Sequence, residues 1–178
     1  EIESVFAGSN FRFEQLTFEL TERLPMESSY KAKEIIAGLQ ALGCQVALDD
    51  VGTGHNGLKY LMELGVDIIK IDKLFIDGVS DSGFSKTIVE ALIKLAGDMQ
   101  IQVVAEGIES VEQVAKLKEL GVDMAQGYFY SRPLGPQAYI TFMEEAILRE
   151  HRAGTKPDPD DRTPKFLKLV NANQHSNS

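Results

Sequence analysis

The chain is 178 residues long, 43% hydrophobic and 25% charged, with 18 Lys plus Arg against 27 Asp plus Glu and a net charge of −9. That composition fits one globular domain with a sizeable core, and the absence of a basic cluster argues against binding duplex nucleic acid through its phosphates. A single cysteine, Cys44, excludes an internal disulfide framework and fits a reducing, cytoplasmic compartment. No apolar run reaches the roughly 18 residues of a membrane helix, and no signal-peptide pattern is present. The first residue is Glu1 rather than Met, which points to a segment of something longer.

In chain order, Leu16–Leu20 (LTFEL) reads as a strand, and Ser29–Leu42 has helical spacing that stops at Gly43. Gln45–Leu48 (QVAL) is a second strand running into Asp49 and Asp50. Gly57–Leu64 is a short helix ending at Gly65, and Asp67–Ile71 (DIIKI) is the third strand. A helix over Phe84–Ala96 precedes the strand Ile101–Ala105. The helix Ser110–Leu120 follows, with Ser110 as N-cap, Gln113 completing a capping box and Gly121 as its stop. A last strand is expected over Met124–Tyr130 and a closing helix over Gly135–Glu150, with Pro136 in its first turn.

Alternating β and α elements with almost continuously apolar strands mean a parallel sheet covered by helices. An open doubly wound sheet and a (β/α)8 barrel both satisfy the pattern. No internal repeat is evident. Residues 1–150 read as the folded part, whereas 151–178, rich in Pro, Asp and polar residues, read as a disordered tail.

The acids fall at strand ends. Glu19 closes the first strand, Asp49 and Asp50 follow the second, Lys70 and Asp72 end the third, Glu106 and Glu109 follow the fourth, and Gln126 lies on the fifth. In a parallel sheet these positions share the carboxyl edge, where ligands bind. Several carboxylates converging on one lysine need further positive charge, which hard cations such as Mg²⁺ or Mn²⁺ supply. Adjacent aspartates allow one carboxylate to bridge two metals while the other binds one, an arrangement suited to in-line attack of water on a phosphodiester. Taken singly, each acid could instead be a helix cap or a loop residue. Lys70 could be an edge lysine that snorkels. The recurrence on consecutive strands favours a site.

Other chemistries find no support. The glycines of Asp50-Val51-Gly52-Thr53-Gly54 lack the order of a phosphate loop, and His55, His151 and His175 form no ligand cluster. There is no Gly-x-Ser-x-Gly elbow. The stripe Ile88, Val89, Leu92, Ile93, Leu95 reads as core.

The segments FELTE (18–22), ALDDVGTG (47–54), IKIDK (69–73), VVAEGIE (103–109) and QGYFYSRPL (126–134) occur in the order of the EAL domain family, which this chain resembles from about Leu16 to Leu148. The resemblance implies a TIM-like (β/α)8 barrel and a bacterial signalling enzyme that hydrolyses cyclic di-GMP to linear pGpG with Mg²⁺ or Mn²⁺, two ions in all. It further implies Glu19 as a metal ligand, Asp49 as the bridging carboxylate and Asp50 as ligand of the second metal. By the same resemblance Lys70 positions the attacking water or stabilises phosphate charge. Glu106 acts at the second metal through water, and Gln126 holds water or substrate there. Glu22 and Glu109 would support the loop Gly52–Gly54. A homodimer and an upstream sensory or GGDEF-type module, with a membrane anchor permitted in the parent, belong to the same set of expectations.

The departures are specific. The namesake Glu-Ala-Leu of the first strand and the asparagine ligand of the second have no counterpart before Glu19. The literal Glu90-Ala91-Leu92 lies within a helix and is a decoy. Five βα units occupy about 133 residues where eight need roughly 200 to 250, so the first strands of the barrel are expected to be missing and the chain to be poorly active alone. Val51 and His55-Asn56-Gly57 also differ from the usual loop. A degenerate domain that binds cyclic di-GMP without turnover is the alternative, and an unrelated barrel metalloenzyme is a third reading.

Overall fold

A computed structural model describes residues 2–21, 29–54, 57–81 and 83–152. A helical turn, α1 (Ile2–Val5), and a 3-10 turn at Phe13–Gln15 lead into β1 (Thr17–Thr21). There follow α2 (Ser29–Ala41), β2 (Gln45–Val51), α3 (Gly57–Leu64), β3 (Ile68–Ile71), α4 (Lys73–Ile76) and α5 (Phe84–Asp98). The chain continues through β4 (Gln102–Ala105), α6 (Val111–Leu120), β5 (Met124–Ala125) and α7 (Pro136–Arg152).

All neighbouring strands pair in parallel, and the sheet order is β1-β2-β3-β4-β5. A doubly wound sheet reverses its strand order at a switch point. Here the order never reverses, which is the winding of a barrel, and the five strands form part of such a wall. The two faces differ accordingly. Val46, Leu48, Ile69, Ile71, Val103, Ala105 and Ala125 turn towards the helices and share the main core with Ile36, Tyr60, Leu61, Val89 and Leu117. On the other face Ala47, Ile68, Val104 and Met124 form a separate small cluster made of strand residues alone. Side chains of a strand alternate between faces, so both faces of these short strands are apolar, as expected for a parallel sheet.

One motif recurs where no repeat is evident from the overall pattern. Glu63-Leu64-Gly65-Val66-Asp67 and Glu119-Leu120-Gly121-Val122-Asp123 each end a helix at a left-handed glycine, with φ of 67° and 81°. Each then turns an aspartate back onto the preceding strand. The Val46 N–H donates to Asp67 Oδ2 at 2.8 Å, and the Val103 N–H donates to Asp123 Oδ2 at 2.8 Å. Gln40 Nε2 adds a second donor to Asp67 at 3.0 Å. These carboxylates satisfy backbone donors at the amino ends of β2 and β4, the edge opposite the acidic residues.

Several elements depart from the sequence reading: α1 and the 3-10 turn before β1 are additional, and three more differ near the carboxyl edge. β5 ends at Ala125 instead of continuing to Tyr130, because Gly127 lies against the backbone of Ile108, leaving no room for a side chain. The short helix α4 is additional: Asp72 caps it, accepting a hydrogen bond from the Leu74 N–H at 2.8 Å. Asp72 is therefore a helix cap, the plain alternative for an acid at a strand end. β2 extends to Val51, through both aspartates. The capping box at Ser110 and Gln113 is present as expected. Glu90 lies in α5 on the exposed surface, 3.6 Å from Lys86, so the literal Glu-Ala-Leu stays away from the carboxyl edge. Glu22, His55 and the residues from 153 to 178, including most of the expected tail, lie outside the described residues.

Candidate metal centre

Alternation along the strands builds the centre. Asp49, Lys70, Glu106 and Gln126 each lie two residues beyond a member of the inner cluster: Ala47, Ile68, Val104 and Met124, respectively. They therefore share a face and stand one step nearer the carboxyl edge. Glu19, on β1 and paired with Ala47 in the strand register, joins them. Lys70, only 1% exposed, occupies the middle: its Nζ is 2.7 Å from Glu106 Oε1, 3.0 Å from Asp49 Oδ1 and 3.0 Å from Glu19 Oε1.

By alternation alone Asp50 would turn towards the helices. It does not, because the β2–β3 register shifts between Leu48 and Val51, which pair with Ile69 and Ile71. Three steps on β2 face two on β3, a bulge of one residue. Asp50 takes up the extra residue at φ +57°, a left-handed conformation that aspartate tolerates better than most side chains. The bulge leaves Leu48 and Val51 both in the helix-side core and re-aims Asp50. As a result Asp49, Asp50 and Glu106 each offer a carboxylate oxygen, and these atoms lie within 4.8 Å of one another.

The following loop is tightly held. Thr53 donates from both its N–H and its Oγ1 to the Asp50 carbonyl, at 3.2 and 3.0 Å. Gly52, at φ +98°, is pressed on the Phe75 ring, where an added Cβ would come within 2.9 Å. Glu109, expected to support this loop, pairs with Lys73 of α4, 3.0 Å from its Nζ. Gln126 donates from Nε2 to Glu106 Oε1 at 2.5 Å, so the last site residue is tied to the fourth strand end.

Among the described residues, four carboxylates (Glu19, Asp49, Asp50 and Glu106) gather around one buried ammonium. Burial works to lower the Lys70 pKa, but its contacts with Glu106 first, then Asp49 and Glu19, outweigh that and hold it above the ordinary lysine value, firmly protonated. Burial pushes the Glu106 carboxyl up, against the opposing pull of Lys70, and Asp49 and Glu19 push in the same direction as burial. The Gln126 Oε1 is buried without a hydrogen-bond partner among the described residues. An all-oxygen donor set with excess negative charge and an orphaned acceptor beside it fits hard divalent cations of the Mg²⁺ and Mn²⁺ type, not a thiolate- or imidazole-seeking metal.

Every strand-end residue named from the sequence, apart from the capping Asp72 and the outlying Glu109, meets in this one cluster. Glu106, expected to act through water, lies as near the aspartates as a direct ligand would, while Glu19 joins through Lys70. The sequence reading missed the bulge and the pairing of Lys73 with Glu109. The pair Lys70/Lys73 and the pair Glu106/Glu109, each spaced by three, were the available signals.

Comparison with known proteins agrees with this geometry. The family model described as "EAL domain" matches residues 2–133. The chain is 38% identical over 130 residues to the signaling protein YkoW of Bacillus subtilis, covering 73% of this chain and 16% of that protein. It is 33% identical over 148 residues to the cyclic di-GMP phosphodiesterase PdeR of Escherichia coli, covering 83% and 22%. It therefore spans less than a quarter of the length of either relative. Among solved structures, the EAL domain of Mycobacterium smegmatis DcpA superposes with a TM-score of 0.76 at 30% identity, covering 81% of this chain and 65% of that one. A standalone EAL protein of Vibrio cholerae O395 in its c-di-GMP-bound form gives a TM-score of 0.64 at 35% identity, covering 67% and 51%. Strand order, inner-face acids and motif order thus lead to one conclusion: the chain belongs to the EAL domain family.

Proposed function

We propose that this chain carries the metal-dependent hydrolysis of cyclic di-GMP to linear pGpG. The observation that carries the reading is the meeting of Asp49, Asp50 and Glu106 oxygens within 4.8 Å around a lysine held by three carboxylates. Relatives named as cyclic di-GMP phosphodiesterases and neighbours solved with c-di-GMP supply the substrate.

Asp49, Asp50 and Glu106, with Glu19 beside them, would hold Mg²⁺ or Mn²⁺, and the adjacent aspartates suit two ions. When bound, such ions neutralise phosphate charge and lower the pKa of water. The protein's own groups then divide the work. Lys70 stays an ammonium and cannot serve as a base; with its carboxylate partners drawn to the ions it would position the attacking water or stabilise the charge that develops on the phosphate. Glu106, beside the aspartates, is placed to take a proton from the attacking water. Gln126 holds Glu106 in place through Nε2 and keeps Oε1 free to accept from that water. Water adds to phosphorus, one P–O ester bond breaks, and the proton that Glu106 takes from the water passes to the leaving ribose oxygen. Glu22 and Glu109 are read as supports of the surrounding loops. The acting unit is read as a homodimer coupled to an upstream sensory or GGDEF-type module and working in the cytoplasm. No helix among the described residues is long and apolar enough to cross a membrane.

The test is pGpG production from cyclic di-GMP with Mg²⁺ or Mn²⁺. Turnover is expected to vanish with a chelator and in Asp49→Asn. Cyclic di-GMP binding without pGpG at saturating Mn²⁺, in a protein that also supplies the remaining strands of the barrel, would replace this reading with a receptor.

A further inference from the structure

Glu106 directly follows β4: its N–H still donates to the Ile71 carbonyl at 3.1 Å, and its carboxylate meets Lys70 and Gln126, but the strand pairing stops there and the turn that follows is held by other contacts. The loop Glu106–Glu109 is gripped from two sides. On one, Ile108 donates its N–H to the Gln126 carbonyl at 3.1 Å and accepts from the Phe129 N–H at 2.9 Å. On the other lies Lys73, the first residue of α4. Its methylene stem lies across Gly107, which sits at φ +69°. A Cβ there would come within 2.5 Å of Lys73 Cβ and Cγ and 2.7 Å of Cδ. The Nζ is anchored beyond the glycine, 3.0 Å from Glu109 Oε1 and 2.8 Å from Asp77 Oδ1, and donates to the Gly107 carbonyl at 3.4 Å. Gln113 closes the same seam: its Oε1 accepts from the Glu109 N–H at 2.8 Å and its Nε2 donates to the Ile76 carbonyl at 3.4 Å.

We propose that Lys73 is a positioning residue: by clamping the Gly107 turn against α4 it sets the Glu106 carboxylate among Asp49, Asp50 and Lys70. Lys73 touches neither the carboxylates of the centre nor the inner face. Its side chain is 41% exposed and its ion pairs are open to solvent, so they add little to folding stability. What they supply is geometry. Loss of a residue that orients a metal ligand from outside the ligand set typically costs about 10–100-fold in metal affinity. The inference rests on the metal centre proposed above.

The experiment is a calorimetric Mn²⁺ titration of the metal-stripped protein, well below its melting temperature, with melting of the metal-free form recorded in parallel. Lys73→Ala is expected to weaken Mn²⁺ binding roughly tenfold or more while leaving metal-free melting nearly unchanged. Lys73→Arg, which keeps stem and charge, should regain most of the affinity. Lys94→Ala, which breaks only the exposed pair with Asp98, should match wild type. If Lys73→Ala fails to fold, Glu109→Gln slackens the same anchor and should show the same direction of loss. Wild-type Mn²⁺ affinity in Lys73→Ala overturns the proposal, as does a loss that follows melting and that Arg does not restore. A wild-type protein that binds no Mn²⁺, like Asp49→Asn, would overturn the metal centre itself, so the two failures are distinct.

Discussion

Asp50 holds a backbone conformation that costs a non-glycine residue about 1 kcal/mol, and it does so inside a strand. The strain is the means by which two adjacent carboxylates face one side. Asp50→Gly should therefore keep the bulge while weakening Mn²⁺ binding severely. A Mn²⁺ titration checks it, and wild-type affinity would contradict the argument. Lys70→Met poses the opposite problem: it fills the space but leaves Glu19, Asp49 and Glu106 facing one another without their counter-charge. Removing one partner of a buried ionic cluster costs about 3 kcal/mol, and added Mn²⁺ should recover part of that loss. Because the folded-state pKa of Lys70 lies above its ordinary 10.5, its contribution is fully present below pH 10.5 and is lost only as pH rises beyond that. Tyr130 acts in the same range by another route. Burial raises its phenol from 10.0 to about 12, so the unfolded chain ionises first and stability falls as pH climbs between those values. Tyr130→Phe should lose less stability than wild type from pH 10 to pH 12, measured by denaturant melts.

At the scale of elements, the two Glu-Leu-Gly-Val-Asp segments give a graded test. Asp67 satisfies the Val46 N–H and Gln40, whereas the backbone bond recorded for Asp123 is that from Val103. Leaving a buried backbone donor unpaired costs about 1–3 kcal/mol. Both Asp67→Ala and Asp123→Ala should destabilise by that order, Asp67→Ala by more, and chemical denaturation would show it. Equal wild-type stability in either variant would mean that the staple is dispensable. These segments also show what the sequence could reveal. Helix starts and stops were legible where a single residue supplies the mechanism, as at Ser110, Gly43 and Gly121. The site was legible because period-two alternation on short apolar strands puts every second residue on one face, so Asp49, Lys70, Glu106 and Gln126 could be gathered from spacing. The bulge at Asp50 was not legible, since A-L-D-D-V carries no local mark of a register shift that depends on the β3 partner. The early end of β5 depends on a contact between Gly127 and Ile108, 19 positions apart, which no local pattern encodes. The helix α4 is four residues long, too short for a helical period to appear.

For the whole molecule, strand order decides between the two architectures left open by the β-α alternation. A sequential parallel order with helices on one face and a small apolar row beneath the acids on the other makes a barrel wall, and it delivers the residues of five strand ends to one place. Electrostatics then sets a condition on function. The chain carries a net charge of −9, and among the described residues the centre gathers more carboxylates than ammonium groups. An anionic dinucleotide should therefore bind weakly in chelator and bind well once Mg²⁺ or Mn²⁺ is present, which equilibrium dialysis with cyclic di-GMP would measure. Metal-independent binding of equal strength would place the nucleotide elsewhere. The claim on which the rest depends is the position of the metal, and the most direct measurement is anomalous scattering from crystals of the protein grown with Mn²⁺. The account predicts manganese bounded by Asp49, Asp50 and Glu106, with Lys70 beside it. Manganese bound elsewhere, or an Asp49–Asp50–Glu106 cluster that stays empty at saturating Mn²⁺, would contradict it.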